Sequence, residues 1–406
     1  MNKHMLSIFL GMVLISTMMH GMVFDNRYFP LLQRPYVTVE DQPSHFAMDL
    51  FVTTASRSFG KFEEEIGLPE IHGKFDEQGL AKAIAKTGKP NPLRSQLQFI
   101  SELPYTMEGK IQSQGFALSY EQAFVDWFKA GFYLMVMRSE SSIQLYQNFD
   151  SVTLEEKQEL ALDLGPMFNS IGINRLHAQQ VGFGDIDMYV RLGYAWDYIL
   201  KCRSIQAGGR FGFLAPTGVT IELNNPASVP FGGNGYKGIY GSIDAEFELK
   251  EDWKTGGLLR FSKRFGQTNT QRMVVNKEPD MFGVVTGSAH VNPGLTIVAD
   301  WYASMENLRE GFGARLTYTY INHREDKWHD RRSNKSVPVE LGITQERSKW
   351  VASYITINAF YDFGKTALVR ELNPIVMFGW DIPLSVGEAQ DFVRSNKVYL
   401  GVEYNF

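Results

Sequence analysis

Hydrophobic and polar positions alternate with a period of two through much of this chain. In "DIDMYVRLGYAWDY" (185–198), Ile186, Met188, Val190, Leu192, Tyr194, Trp196 and Tyr198 form one set. Asp185, Asp187, Tyr189, Arg191, Gly193, Ala195 and Asp197 form the other. That spacing predicts a strand whose two faces meet different surroundings. A soluble sheet resting on a core satisfies it, and so does a tilted strand with one face in lipid. The stretch is long for the first, and its apolar face carries aromatics near one end.

Segments of this kind recur at 46–55, 109–120, 126–138, 185–198, 204–214, 237–249, 253–265, 294–305, 310–322, 350–363, 373–382 and 397–406, twelve in all. An even number suits a bacterial single-chain barrel. The connections alternate strictly between short and long, as in a meander with tight turns on one rim and loops on the other. The pattern predicts an all-β fold: a transmembrane up-and-down antiparallel β-barrel of about twelve strands. A lipid-exposed sheet must close, because unpaired backbone is intolerable in hydrocarbon. A soluble all-β protein stays as the alternative. On the barrel reading, Ile186, Val190, Leu192 and Trp196 face lipid. The long loops, near 56–107, 139–181, 215–236, 266–291, 323–347 and 383–395, face outward, with both termini periplasmic.

Two short helices are expected in the longest loops. "DEQGLAKAIAKTG" (76–88) places Leu80, Ala83 and Ile84 at helical spacing and stops at Gly88. "TLEEKQELALDLG" (153–165) opens with Thr153 three residues before Glu156, a capping-box pattern, and stops at Gly165. Either could decorate the surface or fold inward to narrow a pore.

The N-terminus divides further. Residues 1–21 read as a signal peptide, with Lys3 near the start, an apolar run from Met5 to Met19 and small Gly21 at its end. Residues 22–44 form a lumenal plug or a periplasmic strap, and residues 45–406 the outer-membrane barrel. In the middle piece Tyr28, Phe29, Leu31, Leu32 and Tyr36 need an apolar place to go.

The inward parity collects charge of both signs: Asp187, Arg191, Arg210, Asp244, Glu246, Arg260, Arg264, Asp300 and Arg315 are the lumen and selectivity candidates. Acidic segment 237–249 precedes basic segment 253–265. Asp244, Glu246 and Glu248 are therefore expected to face Lys254, Arg260 and Arg264 across the ladder. The lattice either stiffens the wall or orients a polar solute in a pore.

Composition narrows the rest. A net charge of -5 gives no reason to expect nucleic acid, and a single cysteine, Cys202, excludes an intrachain disulfide. No histidine falls in a compact metal-ligand motif and no G-x-S-x-G elbow occurs. No catalytic residue, metal or cofactor is therefore expected. The partners expected are outer-membrane lipid, the barrel-assembly machinery and an unidentified small solute.

Two resemblances carry further expectations. The alternating, aromatic-rich end of the chain, Val398 to Phe406, resembles the C-terminal strand of Gram-negative outer-membrane proteins, in which a terminal aromatic is part of the assembly signal. "GFGDIDMYVRLGY", with Gly182, Gly184 and Asp185, is followed by a strand ending in Pro216, Thr217 and Gly218 and then by "FGGNG" (231–235). This run, about residues 180–240, resembles barrels of the fatty-acid and aromatic-compound uptake superfamily, nearest the phenol-degradation-pathway group. The resemblance implies an N-terminal plug and hydrophobic substrates that cross the barrel wall. The favoured function is an outer-membrane channel or transporter for passive uptake of small solutes, with hydrophobic or aromatic ones implied by the resemblance. The alternative is a structural or host-facing surface barrel with a closed lumen whose long loops bind a partner.

Overall fold

A computed structural model describes residues 25–30, 44–95, 97–148, 153–198, 201–365, 374–386 and 388–406. Twelve antiparallel strands form the wall: β1 (Ser44–Ala55), β2 (Pro104–Val125), β3 (Phe128–Gln147), β4 (Ile186–Asp197), β5 (Ser204–Ala215), β6 (Gly238–Lys250), β7 (Trp253–Arg264), β8 (Leu295–Arg309), β9 (Phe312–His323), β10 (Trp350–Asp362), β11 (Pro374–Leu384) and β12 (Asn396–Asn405). Each pairs with its chain neighbours, and β1 closes the ring on β12 from His45↔Asn405 to Thr54↔Asn396. The seam is finished by Ser44 and Phe406, whose backbones exchange two hydrogen bonds of 2.9 Å. Every segment expected from the alternation is a strand of this wall.

Side-chain parity sorts the wall into two faces. Outward positions are exposed and apolar, as at Leu50, Val52, Val190, Leu192, Phe211, Ile243, Phe261, Trp301, Leu316 and Leu400. Inward positions are mostly buried and often charged. One expected lipid contact fails: Ile186 is buried, because it sits where the wall is interrupted.

That interruption is a β-bulge. A short strand, His177–Phe183, pairs with Val136–Ser142 of β3, and β4 then pairs with Phe128–Tyr133. From Tyr133 to Val136 β3 advances three residues while the facing chain advances four, from Asp187 back to Phe183. The extra residue flips the parity, so Gln180 is buried before the bulge and Asp187 after it. Gly184 and Asp185 occupy the flip.

β2 and β3 are longer than the alternation suggests, because their polarity inverts toward the loop end. There the outward residues are Thr106, Glu108, Lys110 and Gln112, and the inward ones are Tyr105, Met107 and Ile111. The hairpin leaves the membrane and becomes the floor of a loop layer. Helices α1 (Glu77–Lys86) and α2 (Leu154–Ser170) pack on it, with Phe75, Leu80, Ile84, Leu160, Met167, Phe168 and Phe282 in a second apolar core. α1 starts where the Asp76 carboxylate accepts from the Gly79 N–H at 2.8 Å. α2 starts at the Thr153–Glu156 capping box. It does not stop at Gly165 but runs through Pro166 to Ser170. Met167 and Phe168 are buried beyond the proline, and that burial outweighs one lost helical hydrogen bond. Neither helix enters the lumen; their docking surface is the hairpin itself. A third helix, α3 (Leu341–Ser348), was not expected from the sequence.

The belt predicts a depth-dependent cost for charge. Leu50 is half exposed on the outward face of β1, opposite Phe116 and Leu400. Leu50→Arg should destabilise the barrel by about 2–4 kcal/mol, against roughly 0–1 kcal/mol for Gln112→Arg on the inverted part of β2. Urea unfolding in lipid vesicles, followed by heat-modifiable gel mobility, measures both. Equal costs would contradict the placement of the belt.

Candidate functional site

The chain's own N-terminal segment packs inside the ring of strands. Asp25–Pro30 lies among inward side chains, with Tyr28 and Phe29 both buried in the main apolar core. Phe29 and Pro30 meet Phe51 and Thr53 of β1, Met135 and Met137 of β3, Tyr354 of β10 and Lys397 of β12 around one small void. The plug positions Leu31, Leu32 and Tyr36 lie outside the described residues.

Polar contacts hold the other end of the segment. Both Asp25 oxygens accept from Arg264 of β7, one at 3.0 Å from Nη2. The Asn26 amide donates to Pro230 C=O at 2.7 Å, and its Oδ1 accepts from the N–H of Tyr28 at 2.9 Å. Arg27 donates to Arg347 C=O at 2.9 Å and to the ring of His72 at 2.8 Å.

Arg264 belongs to a knot built by the motif residues. Asp185, turned inward by the bulge, sits 2.7 Å from Arg264 Nη2. Its two oxygens accept from the N–H groups of Gly218 (2.9 Å) and Gly233 (2.7 Å). Thr217 Oγ1 donates to Gly184 C=O at 2.9 Å. The glycines are required by space: a Cβ on Gly232 would lie 2.4 Å from Asp185 Cγ, and one on Gly233 1.9 Å from Arg264 Cζ. Three short motifs, spread over 50 residues of sequence, thus meet around one buried carboxylate.

The remaining charged candidates all point inward, but they pair differently from the sequence expectation. Only Glu248 and Lys254 stand directly opposite across β6 and β7. Arg260 lies beside Asp187 of β4 (3.4 Å) and over the ring of Tyr240 (3.4 Å to the centroid), and Arg264 belongs to the knot. Asp244 takes Arg191 (2.5 Å) and Arg210 (4.0 Å). Glu246 accepts from Tyr302 (2.5 Å) and faces Lys254 (3.7 Å). Arg315 covers the ring of Tyr302 at 4.6 Å and lies 3.9 Å from Glu306. Asp300 stands opposite Thr319. Long side chains reach over the glycines of β5 and β7, so partners are chosen across the lumen as well as along one ladder. Phe406 is outside this set, its ring exposed on the outer wall near Tyr120.

Above the knot a cavity of about 260 Å³ opens toward the loops. Asp25–Tyr28 form one wall, and Ile221, Pro226, Pro230, Met281, Trp328 and Trp350 supply apolar surface. His72 stands at its edge. A guanidinium only donates, so the His72 nitrogen facing Arg27 must accept, and the Tyr28 hydroxyl lies 2.5 Å from Nε2. The ring is therefore neutral. Burial, with Arg27 and Arg347 alongside, holds it well below the usual 6.5. The Asp280 carboxylate, 4.0 Å away, is engaged by Arg347 at 3.2 Å. Sequence reading passed over Asp25, Asn26, Arg27 and His72, since no spacing ties them together; the polar run before Tyr28–Phe29 was the available signal.

No family model matches the chain, and no curated protein matches it. Among solved structures, an outer membrane channel from Pseudomonas putida F1 aligns over 91% of this chain and 100% of its own, at 9% identity and a TM-score of 0.47. The transport unit of the autotransporter AIDA-I from Escherichia coli aligns over 92% and 93%, at 8% identity and a TM-score of 0.40. The Pseudomonas putida toluene transporter TodX aligns over 90% and 89%, at 10% identity and a TM-score of 0.35. Likeness at this level carries no argument about what this chain does.

Two outcomes follow from the geometry. Asp185→Ala strands two backbone N–H groups and should cost roughly 3–5 kcal/mol, whereas Asp244→Asn, in a more open part of the lumen, should cost far less. Urea midpoints in vesicles compare them; similar losses would remove the knot's special place. For His72, the docked ring has the lower pKa, so the released state binds the extra proton. Docking is then strongest above pH 6.5 and weakens as pH falls below it. Amide exchange of residues 25–30, corrected for intrinsic rates, should rise between pH 7.5 and 5 in the wild type and stay level in His72→Gln. A level wild-type profile would refute the neutral-ring assignment.

Proposed function

We propose that this chain is an outer-membrane channel for small solutes, closed at rest by the segment Asp25–Pro30. The observation that carries the reading is the way this segment is held, by a charged clamp on Asp25 at one end and an aromatic wedge at the other. A structural filler needs only the wedge. A clamp of a few hydrogen bonds at a loop-side cavity is suited to release.

The cavity favours a small apolar or aromatic solute. Its volume of about 260 Å³ lies just below the usual range for ligand pockets, and its walls are rich in proline, tryptophan and methionine. The wall also offers a side route. Beyond the bulge, His177–Phe183 has, among the described residues, a strand partner on β3 alone, and loop residues such as Val219 and Asn225 close its other flank. The charged lower lumen would repel such a solute, so exit through this flank suits it better than passage down the pore.

Planar-bilayer recording of the full chain and of a variant lacking residues 25–30 tests the reading. The wild type should be nearly silent and the deletion variant, checked for heat-modifiable mobility, should conduct. In liposomes the deletion should also speed entry of a small aromatic solute. A folded deletion variant that stays silent and moves no solute would transfer the function to the closed surface barrel.

A further inference from the structure

Some charges on the outer wall beyond the apolar belt are paired. On the β2–β3 hairpin, Glu108 faces Arg57 (3.5 Å) and Glu140 faces His177 (3.8 Å). The opposite flank differs. Lys263 of β7 stands opposite Leu295 of β8, and the Leu295 carbonyl accepts from the N–H of Arg324 at 2.9 Å. The β9–β10 ladder ends at the His323↔Trp350 pair, and Arg324 and Lys349 are the next residue on each side of it. His323 and Trp350 are turned inward and buried, so Arg324 and Lys349 project outward, and both are exposed. Three cations therefore gather at the loop-side end of β7–β10. Lys327 and Lys237 lie close above it, Lys237 accepting at its carbonyl from the N–H of Phe265 at 2.8 Å.

None of these five side chains forms an ion pair among the described residues. The Lys263 ammonium donates to the Pro293 carbonyl and feels the charge of Asp326 without closing an ion pair with it. Asp326 is held by the N–H of Gly294 (2.7 Å) and by His323 (3.1 Å), and exposed Glu325 makes no salt bridge. Like charges directly opposite each other on a sheet are destabilising. A patch of five cations with no ion pair among the described residues is matched to an anion from outside.

Its height says which anion. Phe261 and Phe265, both about two-fifths exposed, flank Lys263 along β7, below and above. Exposed aromatics at the edge of an apolar belt mark the level where hydrocarbon gives way to headgroups. A guanidinium between two ammonium groups matches phosphate oxygens, with Arg324 able to bind them in bidentate fashion.

We infer that the outer face of β7–β10, centred on Lys263, Arg324 and Lys349, binds the phosphate-bearing headgroup of a lipid in the leaflet on the loop side. Its acyl chains lie on the belt beside Phe261, Ile297 and Trp301. The lipid stiffens the flank of the barrel that carries the loop-side cavity.

Native mass spectrometry of the detergent-solubilised full chain tests this. The probes are a bisphosphorylated acylated glycolipid and the same glycolipid without phosphates. The phosphorylated form should bind at least tenfold tighter. Each charge removed should weaken it roughly fivefold, so Lys263→Gln/Arg324→Gln/Lys349→Gln should lose about a hundredfold. Lys110→Gln/Arg138→Gln, on the hairpin, should bind like the wild type. Heat-modifiable mobility checks folding, and Arg324→Gln alone, with its fivefold loss, replaces a triple variant that does not fold. Millimolar inorganic phosphate should leave the complex largely intact. The inference is overturned if the dephosphorylated lipid binds as well, if the Lys263, Arg324 and Lys349 variants bind like the wild type, or if inorganic phosphate displaces the lipid completely.

Discussion

A backbone amide without a partner in hydrocarbon costs several kcal/mol, and that penalty acts on every residue of the wall at once. The ring of ladders from β1 round to β12 is the response, and the rest of the molecule follows from it. Closure leaves two faces, one toward lipid and one toward the lumen. Because side chains alternate, the lumen receives half of every strand whether or not there is room for it. Inward glycines such as Gly208, Gly233 and Gly256 leave space that Arg191, Arg264 and Tyr302 occupy. Charged residues can then lie flat along the wall and find partners across it.

The same constraint explains the bulge. Ladder continuity forbids a gap, but one extra residue against β3 keeps the hydrogen bonds going while reversing which side chains look inward. At that point the chain turns Asp185 into the lumen, and three glycine-containing segments converge on it. The result is a buried carboxylate satisfied by two N–H groups and a guanidinium, with Arg264 left an edge to offer Asp25. One arginine thereby touches both the wall's buried carboxylate and the N-terminal segment.

Charge is handled in two ways. Inside, the low dielectric makes an unpaired ion costly, and the lumenal arginines lie beside carboxylates or aromatic rings, as Arg260 does beside Asp187 and Tyr240. Outside, on β7–β10, cations stand together at the headgroup level, where an anionic surface supplies what the protein does not. The contrast follows from the two media meeting the two faces.

How much of this was legible beforehand depends on the range of the interactions. Alternation is a property of neighbours two apart, so "KGIYGSIDAEFEL" and the eleven other segments declared their strands and most of their faces from the sequence itself. The capping box at Thr153–Glu156 is equally local and was equally readable. Tertiary structure decided what depends on distant residues. α2 passes Gly165 and Pro166 because Met167 and Phe168 find a core on the β2–β3 hairpin. Arg260 and Arg264 do not pair with the acids of neighbouring β6, because the bulge and the N-terminal segment bring other carboxylates within reach. His72, Arg27 and Arg347 share one cluster although 320 positions separate the two arginines. Strand identity is set by the solvent on either side of each residue, which the local pattern records. Pairing is set by which walls a closed ring brings face to face, and only the folded ring contains that information.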